Sequence, residues 1–321
     1  MGEERKRTRR DFIGQSALLT SALGAATSEQ GADRDAVAQG LPAKWYTRFG
    51  KHKISRLIVG GNPLCGNSHY SDKWDDEMRS YFTTDRVVET LRRCESSGIN
   101  TFQGRADYHR VLYWLEMFRR KGGQLQWIAQ TASEMHDVFQ NIRVAVAAGA
   151  IGIYHHGSKT DRLWLGGQIE RVKDYLSCIR DCGVQVGLGT HIPEVIEYSE
   201  EHGWDVDFYM ACFYNMTNQH RRGAKGGGTR LIAGSEHLQE TLYEEDPPRM
   251  CRTIRQTSKT CLAFKILAAG RLCKTQSSVR RAFQFAFENI KTQDAVVVGI
   301  FPKYLDQISL NVRYCRAILS A

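Results

Sequence analysis

Beyond Lys51 the chain repeats one pattern: a short apolar run, then a longer amphipathic stretch closed by glycine or a polar turn. Runs at 54–59, 99–102, 125–130, 151–154, 184–188, 206–214, 262–267 and 295–298 read as strands. Stretches at 83–97, 107–120, 134–148, 169–182, 193–202, 238–258, 279–289 and 302–318 read as helices. Thr84 is the expected cap of the first helix and Gly98 its stop, and Pro247-Pro248 is expected to interrupt the helix at 238–258. Strands alternating with helices make a parallel sheet, and eight units close it, so the pattern predicts an α/β fold, a (β/α)8 TIM barrel. An open doubly wound sheet is the competing arrangement. It requires a glycine-rich phosphate loop after the first strand, and Gly60-Gly61-Asn62-Pro63 is not GxGxxG.

The first residues stand outside this pattern. Arg9-Arg10-Asp11-Phe12-Ile13 follows a charged start, and a run rich in Ala, Leu, Ser and Gly continues to Ala26. These are the regions of an export signal, with paired arginines at their junction. The run is short and rich in small residues for a transmembrane span. Ala36-Val37-Ala38 offers a cleavage site and Ala26 an earlier one. Residues 1–38 are therefore expected to be a twin-arginine-type signal and linker, and 39–321 a single barrel domain. The expected location is periplasmic or extracellular, reached through the twin-arginine export machinery, with no membrane anchor after cleavage. The removed segment holds six basic and six acidic residues, so the net charge of +9 survives cleavage. Outside the cytoplasm such charge suits acidic glycans or surfaces, or plain solubility, more than nucleic acid.

Nine cysteines, an odd number without a CxxC pair, point to small buried hydrophobes rather than a disulfide framework. Cys178 and Cys182 lie one helical turn apart, a poor geometry for a bridge. A glycine-rich basic insertion at 219–230 (QHRRGAKGGGTR, within a loop of about 216–235) reads as either a plain loop or a lid over the barrel mouth.

The fourth strand runs Ile153-Tyr154-His155-His156-Gly157, an apolar run that stops in two histidines. In a parallel barrel that end is the mouth, where chemistry is done. The other strand ends bring Asn62, Cys65 and His69, then Gln103, Arg105 and Tyr108, then Glu134, His191, Tyr214, Asn215 and Lys265. Neighbours on a strand face opposite ways, so one of His155 and His156 should face the lumen. His156, His191 and Glu134 would make a divalent metal site with an open position. Trp74 and Trp164, expected in loops, would stack on sugar rings or simply pack the rim.

Several of these segments, taken in order, resemble the aldo-keto reductases. Tyr46-Thr47-Arg48-Phe49-Gly50-Lys51 with Ile54-Ser55-Arg56-Leu57-Ile58-Val59-Gly60-Gly61 is similar to that family's opening hairpin and first strand. Gly98-Ile99-Asn100-Thr101-Phe102-Gln103 with Tyr108, the strand ending at His156, and Gly187-Leu188-Gly189-Thr190-His191-Ile192-Pro193-Glu194 follow. Cys212-Phe213-Tyr214-Asn215, Lys265-Ile266-Leu267-Ala268-Ala269-Gly270-Arg271-Leu272 and Val298-Gly299 complete the series. The resemblance implies a barrel that binds NADPH and carries a tetrad of Asp, Tyr, Lys and His. Tyr108 and His156 match that tetrad, and this alignment puts His156 in the lumen. Gln103 stands at the aspartate, and the third strand ends Gln130-Thr131-Ala132-Ser133 without the lysine. His191 and Ala211 replace the residues that hold the nicotinamide amide, and no basic grip on the adenosine phosphate follows Gly299.

The losses have a physical consequence. Lysine and aspartate tune the tyrosine to protonate a carbonyl as hydride arrives, and a phenol with an ordinary pKa of about 10 is a poor acid near neutrality. The expected protein is thus an exported, aldo-keto reductase-like barrel enzyme with a remodelled site. Its expected substrates are sugars or sugar-derived carbonyl compounds, handled by acid–base or metal-assisted chemistry. Tyr108, His156 and Lys265 are the expected catalytic groups. Asn62, Gln103, Arg105, Tyr214 and Asn215 are expected to bind substrate. An oxidoreductase with tightly held NADP(H) and a non-catalytic carbohydrate-binding barrel are the alternatives.

Overall fold

The computed structural model describes residues 40–107, 110–132, 137–217 and 242–321. An antiparallel hairpin, β1 (Tyr46–Phe49) with β2 (His52–Ser55), comes first. The strands β3 (Leu57–Gly60), β4 (Thr101–Arg105), β5 (Gln126–Gln130), β6 (Ala150–His155), β7 (Gln185–Thr190), β8 (Phe208–Cys212), β9 (Thr260–Phe264) and β10 (Ala295–Gly299) follow. Among the described residues these eight close into a parallel barrel in the order β10-β3-β4-β5-β6-β7-β8-β9. The helices are α1 (Asp72–Tyr81), α2 (Thr84–Ser96), α3 (Val111–Arg120), α4 (Val138–Ala147), α5 (Gly157–Leu165), α6 (Val172–Asp181), α7 (Pro193–Glu201), α8 (Asp246–Gln256), α9 (Gln276–Asn289) and α10 (Gln307–Ser320).

The core has two parts, as strands buried on both faces require. Inside the barrel, Ile58, Ile128, Tyr154, Met210, Leu262 and Val297 pack together. The hairpin closes the lower end, where the Phe49 ring meets Phe208 edge-on at 4.9 Å. Between strands and helices lies the larger shell, including Leu91, Leu115, Ile142, Ile179 and Phe283. Each such side chain contributes about 1.5–3 kcal/mol by leaving water.

The structure departs from the sequence expectations where side chains redirect the chain. The run at 54–59 is two strands, parted at Arg56. Its guanidinium donates to Asp294 O at 2.7 Å and Lys291 O at 3.1 Å, so β2 pairs with the hairpin and β3 with the barrel. Thr83, not Thr84, caps α2, accepting from Arg86 N. The helices expected from 107 and 134 begin at Val111 and Val138, and Asp137 caps the second of them. Pro247 and Pro248 sit in the first turn of α8 rather than interrupting a helix, because a first-turn residue has no intrahelical N–H bond to lose. The strand expected at 262–267 stops at Phe264, where Lys265 turns left-handed (φ 58°), and the last helix starts at Gln307 behind Asp306. Helices α1 and α5 were not expected. They carry Trp74 and Trp164, which therefore lie on helices and not in loops.

None of the nine cysteines forms a disulfide and six are buried, with burial pushing the Cys94 thiol up to about 12. Among the described residues no helix is long and apolar enough to cross a membrane. The insertion at 219–230 and the signal-like segment lie outside the described residues.

Candidate active site

β7 ends at Thr190, and the next residue places an imidazole at the mouth against an anchored carboxylate. His191 Nδ1 lies 2.6 Å from Asp161 Oδ2, on α5. The same carboxylate accepts from the Thr190 hydroxyl at 2.5 Å and from His191 N at 3.2 Å. Asp161 is 2 % exposed and His191 8 %. A carboxylate only accepts, so Nδ1 carries the hydrogen, and in the neutral ring Nε2 bears the lone pair. The ring is wedged in place. It meets Phe264 at 5.5 Å between centroids, and its Cε1 would stand 3.4 Å from a methyl group at Gly157.

The two histidines at the end of β6 part company. The His155 ring turns outward, stacks on Tyr175 at 4.9 Å, and pairs its Nδ1 with the Thr160 hydroxyl at 2.8 Å. His156 is the N-cap of α5, and its backbone N–H donates to Thr131 Oγ1 at 3.1 Å. Among the described residues its Nδ1 is buried without a hydrogen-bond partner. Burial, and then the neighbouring His191 and Arg105 charges, hold the His156 pKa down at about 3. The positive end of α5 acts in the same direction. His156 is therefore a neutral imidazole near neutral pH, beside a second imidazole fixed by a carboxylate.

Beneath them runs a neutral chain. Gln103 donates its amide to the Tyr154 hydroxyl at 2.7 Å, and that hydroxyl donates to Gln130 Oε1 at 2.8 Å. Burial raises the Tyr154 phenol well above its ordinary value. Gln103 and Gln130 thus spend their polar ends on Tyr154. Gln103 lies in β4 where the resemblance puts the aspartate, and Gln130 ends β5, the strand whose lysine is absent. These residues do not fit the proton-delivery set of a nicotinamide-dependent reductase.

Arg105 ends β4 and acts electrostatically on both Tyr154 and His156. Asn62 is exposed just past β3, and Lys265 follows β9. Tyr214 and Asn215 serve the scaffold. Tyr214 is 2 % exposed in the outer core, and Asn215 Oδ1 accepts from Thr217 N and Oγ1 at 3.0 and 2.6 Å. Tyr108 and Glu134 lie outside the described residues. Among the described residues no group of three His, Cys, Asp or Glu side chains is placed to hold a metal ion. Sequence reading missed Asp161, Tyr154 and Thr131. Asp161 sits in a helix that the pattern did not reveal, and nothing in the spacing ties it to His191.

Next to Gln103 and Phe264 opens a cavity of about 500 Å³ over the ends of β3, β9 and β10. Asn62, Trp74, Lys265 and Asn311 are among its lining. Arg271, 5 % exposed, ties two of its walls together by donating to His69 O at 3.1 Å and Ala268 O at 3.3 Å. The described non-glycine residues with positive φ are His69, Lys265, Ala268 and Ala269, at 55°, 58°, 51° and 48°. Three of them line this cavity and the fourth adjoins it. Each costs about 1–3 kcal/mol, and such strain gathers at ligand sites.

No family model and no curated protein matches the chain. Solved structures do. A mandelate oxidase variant with a C4a-hydroxy-FMN adduct has a TM-score of 0.50 at 11 % identity, covering 92 % of this chain and 87 % of that one. The phospho-2-dehydro-3-deoxyheptonate aldolase of Thermotoga maritima has a TM-score of 0.49 at 14 % identity, covering 85 % and 72 %. At such identities the likeness shows the TIM-barrel fold alone.

Proposed function

We propose that this barrel is an enzyme that moves a proton on the carbon next to the carbonyl of a sugar or sugar-derived compound. The observation that carries the reading is the His191–Asp161 pair, 2.6 Å apart at the mouth. Asp161 holds the tautomer, and His191 Nε2 takes the proton from carbon. Negative charge then develops on the carbonyl oxygen. Arg105 supplies opposing charge, and neutral His156 supplies an N–H donor, the role suited to a histidine lowered by a helix N-terminus. Returning the proton to the same carbon gives an epimerase and to the neighbouring carbon an isomerase, whereas breaking the bond to a leaving group on the β carbon, which takes the proton as it departs, gives a lyase.

The test is incubation with a panel of aldoses, ketoses and their keto-acid derivatives in D2O. The expected result is enzyme-dependent deuterium at the carbon next to the carbonyl in at least one compound, absent with His191→Ala. A carboxylate behind a histidine also orients metal ligands. A divalent ion held by His156, His191 and Glu134 is thus the second reading, in which it would polarise the carbonyl. Stoichiometric metal in the purified protein, lost in His191→Ala, favours that reading. Exchange that resists chelators favours the first.

Export is part of the proposal, supported by Arg9-Arg10 and the apolar run behind them. Replacing both arginines by lysine should retain the protein in the cytoplasm, and secretion unaffected by that change contradicts it.

A further inference from the structure

We propose that the cavity beside Gln103 is a subsite for a neutral sugar ring, which places the rest of a saccharide substrate next to His191. This rests on the acid–base reading above and names the chemistry that the substrate presents. Trp74 and Tyr304 stand at the cavity edge, 38 % and 66 % exposed, with ring planes at 82°. Exposed rings are usually mobile, yet these are held. The Tyr304 hydroxyl and Lys303 both donate to Glu77, and Phe301 packs edge-on against each ring. Fixed aromatic faces offer apolar area to the C–H face of a sugar at small entropic cost.

The polar lining has the matching character. Asn311 is 5 % exposed and lines the cavity, where an amide offers both a donor and an acceptor to an occupant. Gln276 and Gln307 each have the amide oxygen occupied, by the Tyr314 hydroxyl at 3.0 Å and by Phe301 N at 2.8 Å, which leaves their N–H groups for a ligand. Among the described residues no Asp or Glu lines the cavity, and its charged lining is Lys265 and Lys274. Amides that both donate and accept, with aromatic platforms and no carboxylate, suit hydroxyl groups. The volume of about 500 Å³ lies within the range of small-molecule sites. The left-handed residues at His69, Lys265 and Ala269 show walls that are set before any ligand arrives. Phe264 and Gln103 border the cavity, and Phe264 also touches the His191 ring, so the two regions are neighbours on either side of that ring.

The experiment is calorimetric titration of the full chain with cellobiose, maltose and lactose, and separately with NADPH and inorganic phosphate. At least one disaccharide should bind. Trp74→Ala and Asn311→Ala should each weaken it about tenfold or more. Trp74 is exposed, so its replacement leaves the fold intact even if Asn311→Ala does not. The proposal is overturned if no disaccharide binds, or if NADPH binds and Trp74→Ala abolishes that binding. It is equally overturned if phosphate alone occupies the cavity. Binding without deuterium exchange sinks the acid–base reading and leaves the subsite. Exchange without binding does the reverse.

Discussion

Asp161 Oδ2 and His191 Nδ1 are 2.6 Å apart although 30 positions separate them in sequence, one on α5 and the other just past β7. The contact needs α5 to begin immediately after β6, so that its second turn reaches the neighbouring strand end. Replacing Asp161 by Asn keeps the volume and removes the charge, and the amide can present N–H to Nδ1 and enforce the wrong tautomer. Asp161→Asn should lower turnover about 10–100-fold or more, with unchanged circular dichroism. Nitrogen NMR of the His191 ring should show the hydrogen moved from Nδ1 to Nε2.

His156 gives the protein an acid-side instability. Its pKa falls from 6.5 in the unfolded chain to about 3 in the folded one, and that of His155 falls to about 4. Above pH 6.5 neither state is protonated at these sites and the full stability is present. As pH drops below 6.5 the unfolded chain gains protons that the folded one refuses, and stability declines until about pH 3–4. The melting temperature should fall through that window, and His156→Gln should flatten the fall. A profile unchanged by His156→Gln would contradict a depressed pKa.

Much of this was legible in the sequence. The eight alternating units gave the barrel because burial on both strand faces leaves continuous apolar runs. His156 and His191 stood out because ionisable residues at strand ends break those runs. Asp161 did not stand out. Its helix opens without a side-chain cap and begins with glycine, so neither a capping residue nor strong propensity marks it. The hidden break at Arg56 has a similar origin, because the residues that bend the chain there, Lys291 and Asp294, lie more than two hundred positions away.

Gly189 faces the lumen between β6 and β7. A methyl group there would stand 2.8 Å from His155 O, 2.9 Å from Tyr154 Cδ2 and 3.0 Å from Gly157 N. Two of these are backbone atoms, so the strands must part. Gly189→Ala should destabilise the protein by about 1–3 kcal/mol in a urea titration. It should also cost more activity than stability, because the displaced backbone carries His156 and abuts His191.

At the opposite end, Asp294 is fully buried. It accepts from Cys261 N at 2.8 Å and Lys291 N at 2.7 Å, and pairs with Lys291 Nζ at 3.0 Å. Burial raises its pKa, and the Lys291 charge opposes that rise without cancelling it. Asp294→Ala removes the acceptor of two N–H groups, those of Cys261 and Lys291, and leaves the Lys291 ammonium with Ile254 O at 2.6 Å but no counter-charge there. It should cost about 3–5 kcal/mol, and the surviving folded fraction should keep its deuterium-exchange activity. Loss of specific activity in that fraction would show that the barrel floor and mouth are coupled.

The most direct measurement is the rate of deuterium uptake from D2O at the carbon beside a sugar carbonyl, with wild type, His191→Ala and Asp161→Asn compared on the same compound. A base held by a carboxylate predicts uptake with the wild type, none with His191→Ala, and a slow residual rate with Asp161→Asn. No uptake by the wild type on any compound of the panel, or uptake that His191→Ala leaves intact, contradicts the assignment of His191 as the base.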